Sequence, residues 1–393
     1  MSDQRLSPVR VIGVGVGAAL VTGATLGNIG ANLMPVLLPG MAGRFHLSNT
    51  ASGMVATVQL LATALAALAL ARTAARPGRA RLARAGLVAT VAGFGLAALA
   101  PGLALLIVGN AIAGAGLGAV YAAAMAAIAA TGDTDKASTV TVLGGTVVIA
   151  TLIILIPAAD EAWSTGAAFA ILAALCVPAF WLVRALPDAA ERDHGPSASR
   201  PVPWLFLLAL VLLGATEQGA WSYGEIVGED HAGMSADAVS VVLSVVSVAS
   251  LAGAVLCPIA CRRFGRLTVM GAFFAVEVAA KLVVTVVPWD VSYTAAALVW
   301  QISYMGLLVL VLAVAASADP SGRWVAATAG ATAIGTGLGS APAGWILDIW
   351  GAPGLGVALV LATVLAAVPV MRVTKAVAQA PPSRTQVDVD RCT

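Results

Sequence analysis

Apolar residues run along this chain in blocks too long and too unbroken for the core of a soluble domain. Twelve stretches each reach the roughly 20 residues that a helix needs to cross a hydrocarbon layer, and Pro, Gly and clustered charges separate them. They fall near 11–35, 49–71, 82–100, 103–130, 138–159 and 163–186, then near 203–227, 236–260, 267–288, 291–317, 324–349 and 352–372. Lipid offers backbone amides and carbonyls no partner, so each stretch must bond internally, as a helix. The pattern predicts an all-α membrane protein of twelve transmembrane helices. The first stretch exceeds a signal-peptide core and lacks a convincing cleavage site, so it is read as a helix rather than a leader.

Composition agrees: 60% of the 393 residues are hydrophobic and 10% are charged, against about 25% charged in soluble domains. The few charges set the orientation, because Lys and Arg in short loops are retained on the cytoplasmic side. With both termini cytoplasmic, that side collects 19 of the 21 basic residues, leaving Arg44 outside and Lys281 within a span. Asp160, Glu161, Glu229, Asp230, Asp237 and Asp290 populate the opposite face. An odd number of helices would scramble this partition. The basic residues thus serve topology, and a net charge of +2 offers no face for nucleic acid. Cys176, Cys257, Cys261 and Cys392 lack metal spacing with His and are assigned neither a metal nor a disulfide. The excess of Arg over Lys, with abundant Ala and Gly, suits a GC-rich bacterial genome and hence a bacterial plasma (inner) membrane.

The second half of the chain repeats the first. At an offset of 187 residues Ser48 meets Ser235, and Arg76, Gly78 and Arg79 meet Arg263, Gly265 and Arg266. In the same register Pro101 meets Pro288, Lys136 meets Arg323 and Trp163 meets Trp350, with no gap. Matches at loops and helix ends do not follow from shared hydrophobicity. The domain reading is a six-helix bundle over 1–187, a polar cytoplasmic linker over 188–202, a second bundle over 203–372 and a disordered cytoplasmic tail over 373–393.

The segment Ala71 to Arg79 resembles the cytoplasmic motif Gly-x-x-x-Asp-Arg-x-Gly-Arg of the major facilitator superfamily at Arg76, Gly78 and Arg79. Arg263, Gly265 and Arg266 repeat it. The fourth stretch is similar to the family's Arg-x-x-x-Gly-x-Gly-x-Gly pattern at Gly114, Gly116 and Gly118, with Asn110 in the Arg position. The resemblance covers nearly the whole chain. It implies two pseudo-twofold-related six-helix bundles that carry a small organic solute by alternating access. It also implies a proton as coupling ion, lipid as surroundings, a monomer, and no cofactor. Three departures limit what carries over. Ala75 stands where the family's Asp contributes to a charge latch between the halves, Asn110 replaces an Arg associated with proton coupling, and no Gly-Pro pair marks the fifth helix. An uncoupled facilitator, or less favoured a non-transporting receptor on the same fold, is the alternative.

Candidate chemistry lies in the polar residues inside the spans, since a charge at a helix centre costs about 2.5–3.5 kcal/mol on insertion scales. Glu217, about 14 residues into the seventh stretch, is foremost. At the repeat offset it falls on Gly30, between Asn28 and Asn32. Two readings stand for it: a site for a proton or a cationic group of the solute, or a carboxyl bonded to Gln218 or a neighbouring helix for packing. Glu277 and Lys281, four residues apart with the acid first, form a favourable pair on one helix face. Helix nine is peripheral in the family and Lys can snorkel outward, which favours a structural pair over a coupling relay. Asn28, Asn32, Gln59, Asn110, Gln301 and Tyr304 are the uncharged candidates for a solute site. Trp221 and Tyr223 read as interfacial anchors, and Ser240, Ser244 and Ser247 as a packing stripe. No phosphate-binding loop with Lys and Ser or Thr appears, and His46, His194 and His231 lie in separate loops. A nucleotide-driven pump or a membrane enzyme is therefore not expected.

Overall fold

Fourteen α-helices and no strand make up the described part of a computed structural model, residues 13–379 apart from 132, 164–165, 189–200 and 320. Most of the expected linker and the last fourteen residues of the expected tail lie outside it. The first half holds α1 (Val14–Phe45), α2 (Asn49–Ala74), α3 (Arg79–Ala98), α4 (Leu103–Ala129), α5 (Thr134–Ala162) and α6 (Ala167–Leu182). The second holds α7 (Trp204–Ser222), α8 (Gly224–Asp230), α9 (Ala236–Ala249), α10 (Leu251–Phe264) and α11 (Arg266–Val286). It ends with α12 (Asp290–Ala318), α13 (Arg323–Leu338) and α14 (Ser340–Gln379). α7 with α8, and α9 with α10, each make one crossing. α13 and the start of α14 make another, which ends at Gly351, where φ of +65° breaks the helix. Twelve crossings result.

Two boundaries depart from the sequence pattern. α1 runs to Phe45 through Pro35 and Pro39, because in lipid a helix loses less by tolerating a missing donor than by exposing a whole unwound turn. The last crossing continues to Gln379, so residues 373–379 are helix.

The repeat is visible in the packing. The first crossing of each half lies on the fifth, the second on the fourth, the third on the fourth and sixth. Equivalent residues also do equivalent work. Ser48 caps α2 by accepting from the Ala51 amide at 3.2 Å, and Ser235 caps α9 by accepting from Ala238 at 3.3 Å. Gly78 and Gly265 both precede a helix with positive φ, +113° and +80°. The glycines of α4 let backbones approach: Gly114 and Gly118 lie against α2 at Gln59 and Thr63, and Gly116 against α3 at Gly86 and Thr90. Close contact of this kind replaces the hydrophobic drive that lipid removes.

The halves meet through α1 on α7 and α8, α2 on α13 and α14, and α5 on α9. Side-chain bonds across this interface concentrate from mid-depth to the end opposite the termini. Ser244 donates to the Ala150 carbonyl at 2.9 Å, so this part of the serine stripe packs between halves. Trp221 and Tyr223 are not lipid-interface anchors. Trp221 Nε1 donates to the Asn32 carbonyl at 3.0 Å, and the Tyr223 hydroxyl to the carbonyls of Asn49 at 2.8 Å and Ser340 at 3.1 Å.

Candidate functional site

Three charges that lie far apart in the chain come together inside the second half. Glu217 of α7 is 4% exposed, and Glu277 and Lys281 of α11 are 0% and 1% exposed, so this lysine does not snorkel. Lys281 Nζ donates to Glu217 Oε1, to Glu277 Oε2 at 3.3 Å and to Thr363 Oγ1 at 3.2 Å. Glu217 Oε2 accepts from Trp300 Nε1 of α12 at 2.8 Å. Tyr304, one turn beyond Trp300, lies beside both carboxylates. Glu277 Oε1 is buried without a partner. The i,i+4 pair read as a separate structural feature is thus half of a larger cluster, in which Glu217 bonds neither Gln218 nor the first half.

Charge counting gives the cluster its chemistry. With both carboxyls ionised the cluster would carry one negative charge more than its single ammonium offsets, and one proton on either carboxyl would neutralise it. Breaking such a cluster is costly, because a buried charge without a partner loses its hydration with no return. A cavity of about 10 Å³ touches Lys281 and is lined also by Ala220, Gly224, Trp300 and Leu355. It has room for roughly one water molecule.

The uncharged candidates divide. Asn28 is exposed within the membrane depth, with Tyr121 of α4 beside it. Asn32, half-buried, donates to the Asn28 carbonyl at 2.9 Å. Tyr121 packs over Gly27, where any larger residue would displace it. Sequence reading passed over it, although it is the one aromatic in the alanine- and glycine-rich α4. Gln301 and Tyr304 are half-buried on α12. Gln59 and Asn110 are fully buried. Asn110 donates to the Leu106 carbonyl at 2.8 Å, and both amide atoms of Gln59 lack a partner. Gln59 lies against Gly30 of α1, and Asn110 is bonded within its own helix.

The loop motif works within each half. Arg79 is fully buried and donates to the carbonyls of Ala74 at 2.8 Å, Ala75 at 3.3 Å and Pro187 at 3.1 Å. It thereby ties the start of the linker to the α2–α3 loop. Arg76 and Arg263 are exposed, the latter over the Phe264 ring, and Arg266 donates to Ser317 Oγ at 3.2 Å. Asp188 accepts from the amides of Gly78 at 2.7 Å and Arg79 at 3.0 Å. These bonds hold its carboxyl below the usual range. A depressed carboxyl adds stability above its unfolded value and loses it as pH falls through the folded value. Asp188→Ala is therefore expected to lower the melting midpoint at neutral pH and to converge with the wild type in acid. Thermal unfolding in detergent across the acid range checks it.

Twelve crossings in two repeated bundles, meeting around mid-membrane polar groups, define the architecture of a secondary transporter rather than of an enzyme. The chain matches the Major Facilitator Superfamily over residues 18–323 and belongs to that family. No curated protein matches it. Among solved structures it is similar to the nucleoside transporter NupG, with TM-score 0.73 at 12% identity over 92% of this chain and 99% of that one. A bacterial homolog of the human lysosomal transporter Spinster, inward-facing and occupied, gives 0.70 at 14% over 94% and 98%. A D-xylose-proton symporter gives 0.65 at 15% over 90% and 96%.

Proposed function

We propose that this transporter moves a small, uncharged, hydroxyl-bearing organic solute across a bacterial plasma membrane by alternating access, driven by protons and acting as a monomer. Support comes from one observation above all: Glu217 and Glu277 share the single cation Lys281 in a buried cluster. Separating load from release across the membrane is worth about 2.3 kcal/mol per charge per 100 mV. In this reading Glu217 is the proton site, because it is the carboxylate whose neighbour, Gln218, reaches the other half.

The solute site lies on the partly exposed amides and rings, Asn28, Asn32, Tyr121, Gln301 and Tyr304. Amides and hydroxyls beside aromatic faces suit a ring with hydroxyl groups. Nucleosides and pentoses, the solutes named for two of the similar structures, are the compounds to try first. In proteoliposomes Glu217→Gln is expected to abolish accumulation driven by a pH gradient while solute counterflow persists. Unchanged accumulation and pH dependence would remove Glu217 from the mechanism and favour an uncoupled facilitator.

A further inference from the structure

The indoles of Trp300 and Trp221 form a continuous bridge from Glu217 to the other half of the protein. Trp300 Nε1 donates to Glu217 Oε2 at 2.8 Å. Its ring meets that of Trp221 edge-on, with centroids 6.5 Å apart and planes at 63°. Trp221 Nε1 in turn donates to the Asn32 carbonyl of α1 at 3.0 Å. Both rings are buried, 3% and 8% exposed, and each packs against the other. Beside them Gln218 donates to the Ala31 carbonyl at 3.1 Å and to Ser222 Oγ at 3.0 Å, and Ser222 pairs with Ser340. The same turn of α7 therefore holds both the carboxylate and the contact between halves.

The geometry points to this indole pair as the relay that carries the ionisation of Glu217 to the seal between the bundles. A hydrogen bond to a carboxylate is roughly twice as strong as one to a neutral acceptor. Protonation of Glu217 loosens its hold on Trp300 and frees Lys281 for Glu277. Trp300 then relaxes, the edge contact to Trp221 relaxes with it, and the tie to Asn32 weakens. Trp221 and Trp300 are positioning residues, and neither binds the proton. The titratable groups facing Glu217 are Lys281 and Glu277 of α11 and Tyr304 of α12. From the other elements packed on α7, buried Glu225 of α8 lies beside Glu229 and Tyr293, Arg323 opens α13, Asp348 of α14 is engaged at Asn49 and Thr50, and Arg44 of α1 at the carbonyls of Ala97, Ala98 and Ala100. The inference rests on the reading of Glu217 as proton site, and the test separates the two.

Spin labels at His46→Cys and Asp230→Cys, exposed positions at the sealed end, report the distance between halves in the reconstituted full chain with its native cysteines replaced. Acidification is expected to shift the wild-type distribution to longer distances. Trp221→Phe keeps an aromatic ring but removes the N–H, and it is expected to lose this pH response. Trp300→Phe is expected to lose it too, and it carries the test if the first variant folds poorly. Glu217→Gln is expected to hold the acid distribution at every pH. Tryptophan variants that follow the wild-type pH response beside a pH-insensitive Glu217→Gln overturn the relay and leave the proton site standing. A Glu217→Gln protein that still responds to pH, or a wild type that does not, overturns both.

Discussion

Replacing Lys281 by methionine is expected to cost the folded protein about 3–5 kcal/mol, the usual penalty for removing one partner of a buried ion pair. Methionine fills much the same volume, so the loss comes from charge rather than from a cavity. Glu217 and Glu277 would remain side by side without a cation, Glu277 fully buried and Glu217 nearly so, and Thr363 would lose its donor. Thermal unfolding in detergent measures the effect. Adding Glu277→Gln to Lys281→Met is expected to recover part of the loss, because one of the two stranded charges is then gone. Arginine should not rescue, since the cavity beside Lys281 holds about 10 Å³ and a guanidinium needs more. A Lys281→Met protein that melts with the wild type would mean that the three groups are not held as charges.

Much of this architecture was legible because lipid leaves a chain few options. Twelve apolar runs had to be helices, and the offset of 187 residues placed Ser48 on Ser235 and Gly78 on Gly265, pairs that do the same capping and turning in each half. The cluster was legible only in pieces. A spacing of four shows Glu277 and Lys281 on one face, but nothing in the pattern says which way that face points. Glu217 lies 64 residues from Lys281 and Thr363 another 82 beyond it, distances that only the packing of α7, α11 and α14 closes. A charge count did carry a signal: Lys281 lies in the interior of its span, whereas Arg84, Arg184 and Arg372 lie near the ends of theirs, and lipid would hold it most cheaply against both nearby acids. Trp221 and Tyr223 were misread for a related reason. An indole or phenol near a helix end suits the membrane interface, yet here the second half turns them onto carbonyls of the first. Hydrophobicity cannot distinguish these two surroundings, because both present an apolar flank and a hydrogen-bond acceptor.

Asp348→Ala is expected to shift the balance between closed and open forms at the end opposite the termini roughly 5- to 30-fold towards open. Asp348 belongs to the second half, yet it caps a helix of the first. Its Oδ1 accepts from the Asn49 amide at 3.1 Å, and its Oδ2 from the Thr50 amide at 2.7 Å and the Thr50 hydroxyl at 2.6 Å. The first amides of α2 have no partner within their own helix, and a negative charge at a helix N-terminus is favoured by its dipole. Loss of such a cap costs about 0.5–2 kcal/mol, and three bonds from one carboxylate place it in the upper part of that range, about 1–2, which is a factor of roughly 5–30 in a two-state ratio. Since these bonds exist only while the halves touch, alternating access requires all of them to break when this end opens, so the whole cost falls on the closed form. The distance between labels at His46→Cys and Asp230→Cys reads the ratio. Thr50→Val removes only the hydroxyl bond and should shift the ratio less, while Asp348→Asn keeps an acceptor without the charge and should fall between. An alanine variant with the wild-type distribution would show that the Tyr223 bond to Asn49 and the Ala341 bond to Thr57 close this end unaided, and that Asp348 caps α2 without bearing on the exchange between forms.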